Sequence, residues 1–357
     1  MTIDQVGLFN FRLFSNRSFD LRPGINLIKG KNGSGKSSLL EALNIAYGGG
    51  SFRTSNLVNC INSQDSSFNI SITEKLSTGD LKSEVFKHQD KRVVFTKLFN
   101  KVKTKNSFNK LVPVIINDKS FGLIEGEPVL RRDFLNNLLF HVKPEAKKNF
   151  NLFIKSLKQR NRCLKDAMEN NTLDLWTRAV ILHGVIHSQE QYKLFAKFKE
   201  LLEKRVNLVS KENNLSFLEG FSVTYLSGWG KGKSLKDELV LCLKKDKITG
   251  RTSFGPHRAD LVFRINKKLA TNILSRGQLK LLIILIFLSF QSFIKENANL
   301  GSLLMIDDLG SELDINNLKI ALNQILINKY QALITSTGSD WAQRLEGESF
   351  NINKISL

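Results

Sequence analysis

The chain has 357 residues and a formal net charge of +20, with 53 lysines and arginines against 33 acidic residues. This length suggests two domains or one domain with an insertion, and a hydrophobic fraction of 41% excludes wholesale disorder. The positive charge favours a polyanionic partner, with nucleic acid first and an anionic membrane second. An AT-rich genome would also enrich lysine, so the charge alone does not choose a partner.

The cysteines and the apolar segments indicate the cellular compartment in which the protein works. Cys60, Cys163 and Cys242 lie far apart, which excludes a CxxC zinc or redox pair and suits a reducing cytosol. The first residues include Asp4 and no basic stretch, so no signal peptide is expected. The longest apolar stretch, Leu281–Phe293, is shorter than the about 20 residues that cross a bilayer. We therefore expect a cytoplasmic protein without a membrane partner.

Apolar periodicity predicts an α/β unit interrupted by helices. In chain order, the pattern predicts strands at 2–14 and 24–29, a helix at 38–47, and strands at 68–72, 93–95 and 111–116. Long helical periodicity over 131–210 predicts two or three long helices. Strands return at 221–225, 261–265, 302–306 and 332–335, with a loop at 228–233 and helices at 237–247 and 278–295. We predict an N-terminal part of a head domain at 1–128, a helical lobe at 129–220, and the C-terminal part of the head at 221–357.

A phosphate-binding loop is predicted between the second strand and the first helix, where the sequence matches the pattern GxxxxGK[ST]. Its members are Gly30, Lys31, Asn32, Gly33, Ser34, Gly35, Lys36 and Ser37. Glycines let successive backbone N–H groups point inward, and the helix that follows adds its positive N-terminal end. We expect Lys36 to reach the β- and γ-phosphates as a catalytic group and the Ser37 hydroxyl to bind Mg²⁺.

A second acidic site is predicted where the strand Leu303–Ile306 runs into Asp307 and Asp308. Asp307 is expected to hold Mg²⁺ through water, and Asp308 stands where a general base or water-orienting carboxylate belongs. The chain has no NKxD motif, which reads guanine, so ATP is preferred over GTP.

The segment Leu274–Lys280 resembles the signature of ABC-type ATPases, in which an LSxGQ sequence opens a helix. That resemblance implies that Ser275 of a second copy closes on the γ-phosphate. Ser311–Asp314 is similar to the loop that follows the metal-binding acid in the same class. Thr335 and Thr337 stand where transporter-type members have a switch histidine. Ile116–Asp118 lies where that class has a glutamine loop, but it contains no glutamine.

Six blocks in order resemble the RecF family of bacterial recombination mediators: Phe9–Arg12, Gly49–Ser55, Glu125–Leu135, Gly255–Leu261, Leu274–Leu282 and Ile306–Asp314, together with the phosphate loop. The resemblance implies an ABC-type P-loop ATPase head of the α/β class with a smaller, mostly helical inserted lobe. It also implies an ATP-dependent homodimer that binds single-stranded, gapped or junction DNA. The expected partners are RecR and RecO, in recombinase loading, replication-fork maintenance and SOS induction.

Several residues keep more than one interpretation. Arg12 is either a phosphate-approaching arginine, as in Rad50-like heads, or a surface arginine. Arg53 faces DNA, the opposite head or neither. His257 and Arg258, after a Gly-Pro turn, serve nucleotide sensing, lobe coupling or structure. Trp176, Trp229 and Trp341 are too scattered to predict a base-stacking platform.

A basic segment follows the start of the predicted helical lobe. It contains Lys143, Lys147, Lys148, Lys155, Lys158, Arg160, Arg162 and Lys165, with one acid, Glu145. We expect these residues either to follow a phosphate backbone without reading its sequence or to form a solvated helical face.

Three other classes compete with a switch-like DNA-binding ATPase. A structural ATPase of the Rad50/SMC type would carry a long coiled coil or a CxxC hook, and the insertion here is short and lacks CxxC. A transporter ATPase subunit would have the switch histidine and leaves the basic charge unexplained. A binding module with a decayed ATPase would not respond to nucleotide.

The side chain of Asp308 is shorter than that of the glutamate in motor-like relatives, so we expect slow turnover of ATP.

Overall fold

The computed structural model describes residues 2–76, 78–103, 111–337 and 352–357. Its contacts divide the chain into two compact units. The first, which we call the head unit, consists of Met1–Ser120 and Arg276–Leu357, and the second, the inserted unit, consists of Phe121–Ser275.

The described residues of the head unit form two sheets. The antiparallel sheet has the strand order β2-β1-β4-β5-β6-β7, and the parallel sheet has the order β14-β3-β13-β12-β8. The strands are β1 (Thr2–Phe11), β2 (Phe14–Asp20), β3 (Ile25–Lys29), β4 (Ser67–Leu76), β5 (Gly79–His88), β6 (Val94–Phe99), β7 (Val102–Lys103), β8 (Val112–Ile116), β12 (Ser302–Ile306), β13 (Ala332–Ser336) and β14 (Ile352–Ser356). The helices of this unit are α1 (Lys36–Ala46), α8 (Arg276–Ala298) and α9 (Ile315–Ile327).

Burial follows the sequence pattern in both sheets. All five residues of β12 and of β13 are buried, as expected of central parallel strands covered on both faces. Strand β4 alternates buried and partly exposed residues, because one face of the antiparallel sheet contributes to the core and the other does not. The core combines side chains of the antiparallel sheet, such as Leu8 and Ile70, with Leu39 and Leu43 of α1.

The inserted unit is mostly helical, as predicted, but it also has a three-stranded antiparallel sheet of order β11-β10-β9. Its strands are β9 (Phe221–Leu226), β10 (Asp260–Ile265) and β11 (Lys268–Leu269). Its helices are α2 (Gly122–Glu125), α3 (Pro128–Val142), α4 (Ala146–Lys165), the 43-residue α5 (Asn170–Glu212), α6 (Leu235–Leu241) and α7 (Leu243–Thr249).

The unit boundaries differ from those predicted at 128 and 220. The inserted unit extends to residue 275 because β9 packs on α5 and β10 packs on α3. The single helix predicted at 237–247 is two short helices that meet at Cys242. Strand β5 was not predicted, because its exposed positions are mostly charged and its apolar alternation is weak.

Helix α8 as a whole is long and apolar enough to cross a membrane by length and composition alone, although the uninterrupted apolar stretch Leu281–Phe293 within it is shorter than a bilayer span. Within the structure, 78% of its most apolar window is buried. Residues 281–286 are fully buried against the rest of the head unit, which is the behaviour of a core helix.

Candidate functional site

The phosphate loop connects β3 to α1 in the head unit and depends on two glycines. Gly33 and Gly35 have φ angles of 81° and 102°, in the left-handed region that favours glycine. A Cβ atom on Gly35 would lie 2.5 Å from the Phe14 ring, so the close approach of β2 also requires glycine. The loop therefore curls tightly around the start of α1.

Lys36 opens α1 and folds back over the loop. Its ammonium donates hydrogen bonds to the carbonyl oxygens of Gly30 at 2.8 Å and Lys31 at 2.9 Å, and its side chain is buried. The cation is thus held at the loop without a carboxylate counter-ion among these contacts.

The loop offers groups that suit an anion. No side chain caps the N-terminus of α1, where backbone N–H groups and the helix dipole favour negative charge. The Ser34 hydroxyl oxygen is buried and has no hydrogen-bond partner among the described residues. These donors fit the β- and γ-phosphates of a nucleotide.

Ser37 and Asp307 meet beside the loop. The Ser37 hydroxyl donates to Asp307 Oδ1 at 3.0 Å, and the Thr335 hydroxyl donates to the same oxygen at 2.7 Å. A hydroxyl and a carboxylate are the hard oxygen ligands that Mg²⁺ takes when phosphates and water complete its shell. The donor set therefore fits Mg²⁺.

Asp308 is held in a left-handed backbone conformation, with φ of 54°. Its N–H donates to the Thr335 hydroxyl at 2.8 Å, and its carbonyl accepts from the Lys280 ammonium at 2.7 Å. Burial raises the pKa of Asp308, Asp307 raises it further, and Lys280 opposes the shift. A carboxylate with a raised pKa at this position suits a general base.

These residues line a cavity of about 340 Å³. Lys36, Ser37, Asp307 and Asp308 all contribute to it, together with Thr335 and Thr337. Thr335, in the switch-histidine position, is fully buried and joins the two aspartates through its hydroxyl.

Asp118 also lines the cavity, although the sequence analysis did not single it out. It follows β8, the strand next to β12, so the carboxyl ends of two parallel strands bring Asp118 and Asp307 to the same edge of the sheet. Asn117 instead accepts the Lys119 N–H through its side chain, within its own turn. The glutamine-loop pattern has no place for a carboxylate here, so it gives no signal for Asp118.

The start of α8 contacts the loop after Asp308. A Cβ atom on Gly277 would lie 2.4 Å from the Glu312 carbonyl oxygen, and Arg276 pairs with the Glu312 carboxylate at 3.2 Å. Lys280, buried, donates to both the carbonyl and the hydroxyl of Ser311 at 2.8 Å. The signature helix and this loop of the head unit are thus tied together.

Ser275 directly precedes α8 at the end of the inserted unit. It is exposed and is not among the residues that line the phosphate-loop cavity. Asp314, at the end of the loop, caps α9 by accepting the Asn317 N–H at 2.8 Å.

Arg12 has a structural partner in the head unit. Its guanidinium binds both oxygens of Glu41, at 2.9 and 2.7 Å, and donates to the Asn59 carbonyl at 2.7 Å. Arg53 lines the phosphate-loop cavity.

Two of the family blocks meet in the inserted unit through a bidentate ion pair. Arg131 Nε and Nη2 donate to the two carboxylate oxygens of Asp260, at 2.6 and 3.2 Å. Burial lowers the pKa of His257 to about 4, and its Nε2 lies 3.0 Å from the Thr252 carbonyl. Arg258 is exposed. The block Gly255–Leu261 therefore has a structural role within this unit.

Arg160 fits neither interpretation of the basic segment, the DNA-following row or the solvated helical face, because it does not lie on the surface. Its side chain is fully buried and pairs with Asp246 at 2.9 Å, with further bonds to Thr252 and Thr177. Lys143 pairs with Glu190 at 2.7 Å. The other six basic residues of the segment are exposed on α4, namely Lys147, Lys148, Lys155, Lys158, Arg162 and Lys165.

Trp176 and Trp229 pack on two different apolar clusters of the inserted unit, which agrees with their predicted scatter. Trp341 lies outside the described residues.

The two sheets of the head unit, its phosphate loop and the following Asp-Asp strand define a P-loop ATPase head of the ABC and SMC type. The chain matches the AAA domain family over residues 5–248. It is 32% identical over 343 residues to the DNA replication and repair protein RecF of Colwellia psychrerythraea, covering 94% of this chain and 88% of that protein. The chain belongs to the RecF family, which confirms the resemblance found in the sequence.

Solved structures share the fold. The structure of the recombination mediator protein RecF with ATP has a TM-score of 0.78 and 24% identity, over 94% of this chain and 92% of that one. An Smc head bound to the C-winged helix domain of ScpA has a TM-score of 0.52 and 14% identity, over 96% of this chain and 91% of that one. The predicted fold class is therefore confirmed.

Proposed function

We propose that the protein is an ATP-dependent DNA-binding switch of recombinational gap repair. The observation that carries the proposal is a cavity of about 340 Å³. It is lined by residues of the phosphate loop, including Lys36 and Ser37, and by Asp307 and Asp308. Its donors and carboxylates match the needs of a triphosphate and its metal ion. The similar RecF structure with ATP supports this choice of nucleotide.

Ser37 and Asp307 are the residues that would hold Mg²⁺. When bound, Mg²⁺ neutralises charge on the phosphate oxygens. Lys36 leaves the Gly30 and Lys31 carbonyls for the phosphates, and Asp308 accepts a proton from the attacking water. We expect slow turnover, because an aspartate reaches less far toward that water than a glutamate does.

Dimerisation follows from the ABC class. Ser275 is exposed at the start of the signature helix, so a second copy can present it to the γ-phosphate. Because that phosphate then contacts both copies, ATP binding and dimerisation stabilise each other. ATP closes the homodimer on DNA, and hydrolysis releases it.

DNA contact is assigned to the exposed basic row of α4. Lys148, Lys155, Lys158, Arg162 and Lys165 recur at spacings of three, four and seven, which places them on one side of the helix. Such lysines and arginines bind phosphates without reading bases, so single-stranded, gapped and junction DNA are the expected ligands.

In the cell, we propose a cytoplasmic protein that works with RecR and RecO. It would support recombinase loading at gaps, replication-fork maintenance and SOS induction. The support is membership of a family whose curated members are named DNA replication and repair proteins.

Light scattering with and without ATP and gapped DNA tests the proposal. We expect the mass to double with ATP and Mg²⁺, and the Lys36→Arg variant to stay monomeric. Lys197→Arg, an exposed change of the same kind on α5, is the control and should dimerise normally. A protein that stays monomeric with ATP and gapped DNA would contradict the proposal.

A further inference from the structure

A second cavity, of about 800 Å³, lies within the inserted unit. We call it the α5–β9 groove. One wall is the part of α5 from Val185 to Lys199, and the other is the end of β9 from Val223 to Leu226. The loop 227–234, with the sequence SGWGKGKS, closes one end.

Strand β9 is an edge strand, because the sheet order is β11-β10-β9. The Val223 N–H points away from β10 and donates to the Glu203 carboxylate at 3.0 Å. In an antiparallel pair the outward groups alternate, so the N–H and C=O of Tyr225 face the same outer side. Backbone groups for one more strand are therefore available beside the groove, beyond the point where Glu203 covers the edge.

Aromatic side chains form much of the apolar surface of the groove. Phe195 is buried, and its ring centroid lies 5.7 Å from that of Tyr225. The Tyr225 hydroxyl donates to Gln191 at 3.1 Å, which fixes this ring against α5. Tyr192 stands above them with 60% of its surface exposed. Its ring centroid lies 6.3 Å from that of Tyr225, and an exposed aromatic side chain beside such a wall is suited to contact a side chain of a ligand.

The charged residues that line the groove are lysines. Lys199, Lys231 and Lys233 line it, and no carboxylate does so among the described residues. Lys199 contacts Glu203 at 3.5 Å and Lys233 contacts Glu238 at 3.3 Å, whereas Lys231 is exposed in the loop. A Cβ atom on Gly228 would lie 2.2 Å from the Gly255 carbonyl oxygen, so glycine lets the loop pack tightly against the Gly255–Leu261 block.

We propose that the α5–β9 groove binds an extended, acidic peptide segment of a partner protein, which adds as a strand to the outer edge of β9. Strand addition takes its affinity from main-chain hydrogen bonds and its specificity from side-chain contacts along the groove. The edge groups of Tyr225 favour a peptide over single-stranded nucleic acid, because a peptide alone continues the ladder. The lysines select acidic side chains or a terminal carboxylate.

Phage display of random peptides of about nine residues, enough for one strand, on the full-length protein tests the proposal. We expect the wild type to enrich peptides that alternate apolar and acidic residues. Ala196→Trp is the blocking variant, because Ala196 is exposed on α5 and lines the groove. It should enrich none of these peptides, with an unchanged melting temperature.

The enriched peptide is then synthesised and its affinity measured by fluorescence anisotropy. Loss of two charge contacts in Lys231→Ala/Lys233→Ala should weaken binding by about tenfold or more. The control Lys193→Ala/Lys197→Ala removes two exposed lysines of α5 outside the groove and should change affinity by less than about twofold. The peptide should also slow amide exchange at Tyr225, because that N–H enters the added strand.

Three results would overturn the proposal. One is equal enrichment by the wild type and Ala196→Trp. Another is unchanged exchange at Tyr225 in the peptide complex. The third is binding of an oligothymidylate of about 15 nucleotides that Ala196→Trp abolishes while no peptide is enriched, which would make the groove a nucleic-acid site.

Discussion

Replacing Arg12 by alanine should destabilise the head unit rather than weaken phosphate binding. The Glu41 carboxylate is fully buried, and Arg12 supplies two of its hydrogen bonds. Ser51 and Cys60 also donate to Glu41, but both are neutral. Arg12→Ala therefore leaves a buried charge without a counter-ion.

The expected magnitude follows from this burial. Removing one partner of a buried ion pair costs about 3–5 kcal/mol. The Arg12 side chain is 21% exposed, so water screens part of the pair, and we expect about 3 kcal/mol. For a unit of this size that free energy lowers the melting temperature by about 6–12 °C. The variant Arg12→Met/Glu41→Leu should recover about half of the loss, because an apolar pair can replace a buried ion pair.

Differential scanning fluorimetry and nucleotide titration measure the two effects separately. Arg22→Ala removes an exposed arginine of the same unit and should leave the melting temperature unchanged. An Arg12→Ala protein that melts like the wild type but has lost affinity for ATP would refute the structural role and restore the phosphate role.

Three further perturbations give distinct outcomes. Burial raises the pKa of the Glu74 carboxyl from 4.5 to about 7. The free energy that protonation of this carboxyl contributes to folding is therefore complete below pH 4.5 and is lost as the pH rises through 7. Glu74→Gln should therefore be more stable than the wild type at pH 8 by up to about 3 kcal/mol, measured by urea unfolding. Gly277→Ala places a methyl group against the Glu312 carbonyl and should cost about 1–3 kcal/mol, with ATP-dependent dimerisation lost before ATP binding in light scattering and calorimetry. Arg160→Ala should lower stability by about 3–5 kcal/mol, whereas Lys158→Ala should keep it and lower the salt dependence of DNA binding by about one phosphate contact.

Each of these has a control. The stability gain of Glu74→Gln should disappear at pH 4, and a gain that is independent of pH would contradict the raised pKa. Gly184→Ala changes another helical glycine, and its Cβ atom would lie no closer than 3.2 Å to a neighbouring side chain, so it is the control without a severe clash and should keep ATP-dependent dimerisation. A stable Arg160→Ala protein with weakened DNA binding would return that arginine to the DNA interface.

The centre of the site could be predicted because local rules determine it. The spacing of the glycines and Lys36 in the phosphate loop determines which residues surround the start of α1. Asp307 lies at the edge of the parallel sheet because it directly follows the buried strand β12. Asp118 obeys the same rule at the end of β8. The signal for Asp118 is its place just after a strand that pairs in parallel with β12, the strand that precedes Asp307.

Side-chain partners that are distant in sequence could not be predicted in the same way. Arg12 and Glu41 are 29 positions apart, and Arg160 and Asp246 are 86 apart. A sequence gives the charge of an arginine but not the carboxylate that neutralises it. The groove was missed for a related reason, since Tyr192 and Tyr225 are in different elements and face each other only after α5 packs on β9.

The ion pair between Arg131 and Asp260 links two segments that are 129 positions apart in the chain. A chimaera that exchanges only one of these segments with a distant relative risks a half-buried charge with no neutralising group. Compensating exchanges at both positions should rescue such hybrids, so the pair defines the smallest cassette that can be transplanted as a whole.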